Sequence, residues 1–391
     1  MIGTTLFWIG LVVAVAIGFV YFRDLGDISQ MVMKVKRENT LRFIRNEYQL
    51  VAIGLAAAAL MTAAHLFMDA GPGWAFWTAI ILCLMFYGFT YVWVHLALRN
   101  QVNSAKYFSI SEAVAYINPS SSVLVIENNG AARAHSDRDL MQPHLAGDQE
   151  GLDGENVVMT YCSMANLGVG YKPEIEGQNA KLTVMAQHGN NLILRDNSSN
   201  EPIQQIYGYR EHGGERGPGM TPWPTFRMSF SGFQKAYPDG EVFLSKPSRN
   251  PLVWLFDFVT GLTLAGGIEI QHRANAPLMD NMTNEDDRLP NKTYVWGINI
   301  GADAVCYTRD FIVEHGGLIN TTIGGRAIVI SWDALYDSIG AYYNDTDTPI
   351  TEIDFFGKTP QGVLPRVEAL KSGLFWHVWV EFFPDTDVNR T

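Results

Sequence analysis

"VLVIENNGAARAHSDRDLMQPHLAGDQEGLDGENVVMTYCSMANLGVGY", residues 123–171, and "YVWGINIGADAVCYTRDFIVEHGGLINTTIGGRAIVISWDALYDSIGAYY", residues 294–343, read as two versions of one pattern. Each runs as a strand, a Gly-containing turn, a second strand, a short helical piece, a Gly turn and a long apolar strand. Aligned, Gly130 falls on Gly301, Ala131 on Ala302, Arg138-Asp139 on Arg309-Asp310 and His144 on His315; after a one-residue gap Gly170 falls on Gly340. In that alignment Cys306 takes the place of His135, and Trp332 that of Cys162. Each stretch is followed later by an aromatic-Pro-Asp element, "AYPDGEV" and "FFPDTDV". A repeated supersecondary unit writes one strand-rich fold twice. The expected soluble region is mostly β (α+β), made of two related lobes with a shared cleft. The first lobe covers 105–248 and the second 291–391, joined by an apolar linker at 249–290.

The region before the repeat has a different composition. Runs 5–22, 49–68 and 74–98 are each long and apolar enough to cross ~30 Å of hydrocarbon as helices, with Trp or Tyr at their ends. Residues 1–100 are therefore expected to form a membrane domain with three transmembrane helices, the second and third joined by the "DAGPG" turn. The first run has no basic leader and no small-residue cleavage site, which favours a retained helix over a signal peptide. Between the first two runs lies "DISQMVMKVKRENTLRFIRN", read either as a basic amphipathic helix on the membrane surface or as a solvated linker. Its arginines and lysines place this loop in the cytoplasm by the positive-inside rule, and with three spans the soluble region would follow it.

Charge excludes one broad class. Of 28 Lys+Arg and 40 Asp+Glu, residues 1–99 hold 7 and 5, so the whole of the acidic excess lies beyond residue 99. Such a surface does not suit nucleic acid, which recruits Lys and Arg. The three cysteines make no disulfide framework, and Cys83 sits in an apolar run, so Cys162 and Cys306 are the one pair that could join. The 250–270 segment is apolar but interrupted by Asp257 and glycines, and reads as a contact surface for the helices or a partner rather than as a fourth span. "REHGGERGPG" (210–219) reads as a mobile surface loop with Glu211 and His212 solvated.

Several motifs carry a resemblance: "VVMTYC" with the Gly turn after it, "YPDGEVF", "DDRLP", "IGGRAIVIS" and the terminal "FWHVWVEFFPDTD". Over roughly residues 120–388 the chain resembles the family called domain of unknown function 3179, some members of which also carry N-terminal membrane helices. The resemblance implies an extracytoplasmic domain at the cell membrane, against the charge rule, and the extracytoplasmic side is the expectation adopted. Where many relatives read Tyr-Cys-Pro-x-Cys, this chain reads Tyr161-Cys162-Ser163-Met164-Ala165, so no two-thiolate couple is available. His188 matches a histidine that in some relatives follows an Asp; here Gln187 precedes it. His144 lies near a histidine found upstream of the Cys in similar proteins.

The sharpest candidate site gathers Cys162, His144 and His188, with His135 or His212 as a further ligand; thiolate and imidazole suit copper or zinc. Against it stands a packing role: a buried free Cys162, and His144 and His315 capping equivalent turns. Three functions follow in order of expectation. The first is an accessory or structural subunit of a larger membrane complex, in contact with the bilayer and with other membrane-protein subunits. The second is a metal- or small-ligand-binding domain, with a redox-linked form included. The last is a Cys-His enzyme.

Overall fold

The computed structural model describes residues 1–98, 100–212, 215–245, 272–279, 281–346 and 348–391. The expected contact segment 250–270 lies outside the described residues. Three helices are long and apolar enough to cross a membrane: α1 (Ile2–Leu25), α3 (Arg37–Met68) and α4 (Gly73–Leu96), with a short α2 (Asp27–Val32) after α1. They associate the chain with a membrane. Small residues let α1 and α3 approach closely: a Cβ on Gly10 would sit 2.7 Å from the Ala57 carbonyl oxygen. Tyr87 of α4 fills the space left by Gly18 and Gly54 and donates its hydroxyl to the Ala14 carbonyl at 2.8 Å.

α3 has 32 residues, about 48 Å at 1.5 Å per residue, well beyond a ~30 Å hydrocarbon core. Its first turns serve a different purpose. Leu41, Phe43 and Ile44 pack with Leu25 of α1 against Met185, Ala186 and Ile193 of the β domain. Around that apolar contact two arginines of the basic loop form ion pairs with the β domain. Arg37 meets the Glu211 carboxylate at 2.5 Å, and Arg45 meets Glu201 at 2.9 Å. Arg195 of the β domain meets Glu47 at 2.5 Å, with both side chains almost wholly buried, and donates to the Tyr48 hydroxyl at 2.8 Å. The segment is thus docked on the β domain and is not a solvated linker. Glu211, expected in solvent, is buried because it is the partner of Arg37.

The sheet that receives the helices runs Leu182–His188, Asn191–Asp196, Glu201–Gln204, Tyr209–His212 and Glu215–Gly219 as an antiparallel meander. It interrupts a plan that occurs twice. In the first half, Thr225–Ser229, Ser122–Asn128, Ala131–Ser136 and Glu241–Phe243 lie side by side, antiparallel, antiparallel and then parallel. In the second half, Leu370–Phe375, Tyr294–Ile300, Asp303–Tyr307 and Asp387–Val388 repeat that order and those directions. Helices Phe230–Ala236 and Trp376–Phe382 follow corresponding edge strands. A meander also corresponds: Leu145–Ala146, Val158–Cys162 and Leu167–Lys172 against Leu318–Ile323, Arg326–Asp333 and Ser338–Tyr343.

The backbone corrects the register of the sequence alignment by one residue. Two-residue turns place Asn128 opposite Ala131 and Ile300 opposite Asp303, so His135 corresponds to Tyr307 and Cys306 to Ala134. Ser136 accepts the Asp139 N–H just as Thr308 accepts that of Phe311, which fixes the same offset. In the second hairpins Cys162 opposes Leu167 and Asp333 opposes Ser338, so Trp332 corresponds to Tyr161. Asn166 and Asp337 share a left-handed turn position, at φ 51° and 52°. A one-residue slip reverses which side chains face inward. The halves do not stand apart with separate cores: Cys162, Leu167, Val295, Trp376 and Trp379 belong to one apolar cluster.

Glu47→Gln would leave Arg195 buried opposite a neutral amide. The expected cost is about 3–5 kcal/mol, read as a lowered melting temperature in detergent. Replacing both, Glu47→Leu with Arg195→Met, is expected to cost less than Glu47→Gln alone, since no unpaired charge remains.

Candidate functional site

Where the halves meet, a cavity of about 650 Å³ opens. Its walls are built from corresponding positions. Ser122 and Tyr294, Asp137 and Arg309, Tyr161 and Trp332, and Asn166 and Asp337 all line it, one of each pair from each half. The chemistry of every pair differs, although the strand plan beneath is the same.

The floor is a buried guanidinium. Arg227, from Thr225–Ser229, donates from Nη1 to Asp137 at 2.6 and 2.8 Å and to the Ser122 hydroxyl at 2.8 Å. Its Nη2 donates to the Asn166 carbonyl at 3.1 Å, and its Nε reaches across to the Ser372 carbonyl at 3.3 Å. The Asn166 amide donates to the Gly373 carbonyl at 2.7 Å. Gly373 has φ 70°, and a Cβ there would lie 3.0 Å from Arg227 Cδ, so the bulge in its strand needs glycine. Arg309 lies over the Trp332 ring, 4.0 Å from its centroid. Trp296 and His272 complete the lining, and burial holds the His272 imidazole below its ordinary pKa.

The expected thiol-imidazole set does not assemble. Among the described residues no three His, Cys, Asp or Glu side chains stand together as a metal would require. Cys162 is fully buried, its Sγ directed at the Gln187 side-chain oxygen (3.7 Å) and the Asn190 carbonyl (3.6 Å); burial pushes the thiol up to about 12. Gln187 and His188 are consecutive on one strand, so they point to opposite faces. Gln187 takes the thiol side, and the His188 ring nitrogen lies 3.0 Å from the Val35 carbonyl in the loop before α3. His144 is buried with its pKa lowered to about 4, while its supposed counterpart His315 is exposed at a helix end, so the two do not share a job. His135 sits 3.1 Å from the Tyr107 hydroxyl, and His212 is exposed beside Glu201 at 3.4 Å. All three cysteines are free and buried, so Cys162 and Cys306 are not joined.

The sequence from 101 to 386 matches the family described as protein of unknown function DUF3179. The chain belongs to this family. No curated protein and no solved structure matches it. The DUF3179 region contains the helix-receiving sheet and both β halves except the last strand, Asp387–Val388, whereas α1, α3 and α4 precede it. The position where some relatives carry an acid, Gln187 here, is the one that faces the cysteine, so the resemblance brings these two positions together and separates His188 from them. The cleft residues Asp137, Arg227, Arg309 and Trp332 were not singled out from sequence. The charged pair Arg138-Asp139 over Arg309-Asp310 was the available signal, one residue out of register.

Native protein at pH 8 is expected to resist iodoacetamide at Cys162, with labelling appearing only on denaturation, as peptide mass spectrometry would report. Burial also holds His135 near 3 and His144 near 4. Both stay neutral in the fold but accept a proton when unfolded below about 6.5. Stability is therefore full above that pH and falls as pH drops toward 4, by up to about 1.4 kcal/mol per unit for each histidine. Melting curves from pH 7 to 4.5 should show this, with His144→Leu flattening the slope.

Proposed function

We propose that this DUF3179 chain is a multi-pass membrane protein that holds a duplicated β domain on the extracytoplasmic side, where the cleft between its halves binds a small polar ligand. The observation that carries the reading is the cavity itself: concave, of ligand size, and lined by corresponding but diverged residues of both halves. The matching strand orders support a duplication, since two unrelated sheets have no reason to share order, direction and N-cap position. Duplicated halves create a shared wall, and divergence of the facing side chains gives that wall specificity.

The ion pairs of Arg37 and Arg45 bear on sidedness. Charges neutralised by Glu211 and Glu201 count for less as free cytoplasmic anchors, which weakens the cytoplasmic assignment. The bilayer is the partner of the outward faces of α1, α3 and α4. The accessory-subunit role is subordinate here because the cleft offers a built cavity, whereas the segment read as a contact surface, 250–270, lies outside the described residues.

Organic extracts of the purified native protein, compared by mass spectrometry with Trp332→Ala, test the reading. A small molecule recovered in near-stoichiometric amount with wild type and lost with the variant is expected. Identical extracts from both proteins would contradict it. Protease added outside spheroplasts should cleave the β domain; complete protection would reverse the sidedness.

A further inference from the structure

The cleft's chemistry narrows the ligand, resting on the binding role just proposed. The chain as a whole carries a net charge of −12, yet the cavity is lined by Arg138, Arg227 and Arg309 against Asp137 and Asp337. The two carboxylates are not equally free. Asp137 is held by Arg227 through both oxygens, and Asp337 stands 3.6 Å from Arg309 with both side chains half exposed. Arg138 is exposed and has no ion-pair partner among the described residues. The donors that remain available are therefore cationic and come from both halves.

Two features prepare them for an acceptor. Arg309 lies over the Trp332 ring, a contact that holds the guanidinium in place while its N–H groups can serve a bidentate partner. The Trp296 indole N–H is buried on this cavity-lining side chain and has no acceptor among the described residues. A buried donor without a partner calls for an acceptor supplied from outside the chain. The rings of Tyr161, Tyr294 and Trp332 line the same cavity and supply apolar surface to it.

We infer that the cleft takes a small organic anion, its carboxylate or phosphate group held between Arg138 and Arg309 and its ring or acyl body laid on the aromatic wall. Low-dielectric walls would focus the positive potential at the head group.

Titration of the full chain in detergent, followed by tryptophan fluorescence and calorimetry, tests this with three probes: benzoate, phenyl phosphate and the neutral benzyl alcohol. At least one anion is expected to bind 10-fold or more tightly than benzyl alcohol, and the preferred anion tells carboxylate from phosphate. Arg138→Gln and Arg309→Gln are each expected to weaken that anion about 10-fold while leaving benzyl alcohol unchanged. Benzyl alcohol binding as tightly as both anions, with Trp332→Ala abolishing all binding, would overturn the anionic class and keep the cleft. No binding by any probe to a wild type with an intact melting transition would overturn both.

Discussion

One guanidinium holds the two halves in register. Arg227 lies nine-tenths buried and spends its donors on the Asp137 carboxylate, the Ser122 hydroxyl and two main-chain carbonyls, one on each side of the seam. A buried charge is tolerated only when paired and fully hydrogen-bonded, so each of these partners is constrained in turn. Asp137 is fixed at the end of its strand, the Asn166 turn is fixed above it, and the strand Leu370–Phe375 must bulge at Gly373 to clear the arginine. Main-chain bonding continues the seam: the Phe375 N–H donates to the Ala165 carbonyl, and the Ser372 hydroxyl to that of Thr225. The cavity is the space left over once these groups are satisfied.

A second polar cluster secures the helical region. Glu47 accepts from Arg195 and from the Tyr21 hydroxyl, and its other contact is a His95 ring nitrogen at 2.7 Å, so one carboxylate joins α1, α3, α4 and the β domain. Because α3 continues without a break from this contact into its apolar length, the anchor and the receiving sheet behave as one body. Charge counted along the sequence could not reveal this, because it records which residues are basic and not which acids face them.

Element types and their order were legible in the sequence. Turn residues and alternating β-branched runs gave the strands, long apolar runs gave the helices, and the repeated pattern gave the corresponding hairpins. Register was not legible, because Gly130 and Gly301 attract one another in an alignment although the turn places Gly130 opposite Ala302 in the plan. The error is one residue in length and complete in effect, since it exchanges the inward face for the outward one. The site was lost for the same reason and for another. Reactive residue types draw attention to Cys162 and the histidines, but Cys162, His135, His144 and His188 are buried apart from one another, His212 is exposed elsewhere, and adjacent strand positions cannot converge. The cleft is instead made of arginine, aspartate and tryptophan, which are ordinary on any surface until the seam brings them together.

The diverged pairs around the cavity have a directional consequence. Had the walls remained identical, a guest could enter either way round with equal satisfaction. With aspartate in one half where the other has arginine, tyrosine where it has tryptophan and serine where it has tyrosine, the two ends of a guest would meet different neighbours. A chamber walled in this way favours one orientation of a guest over the reverse.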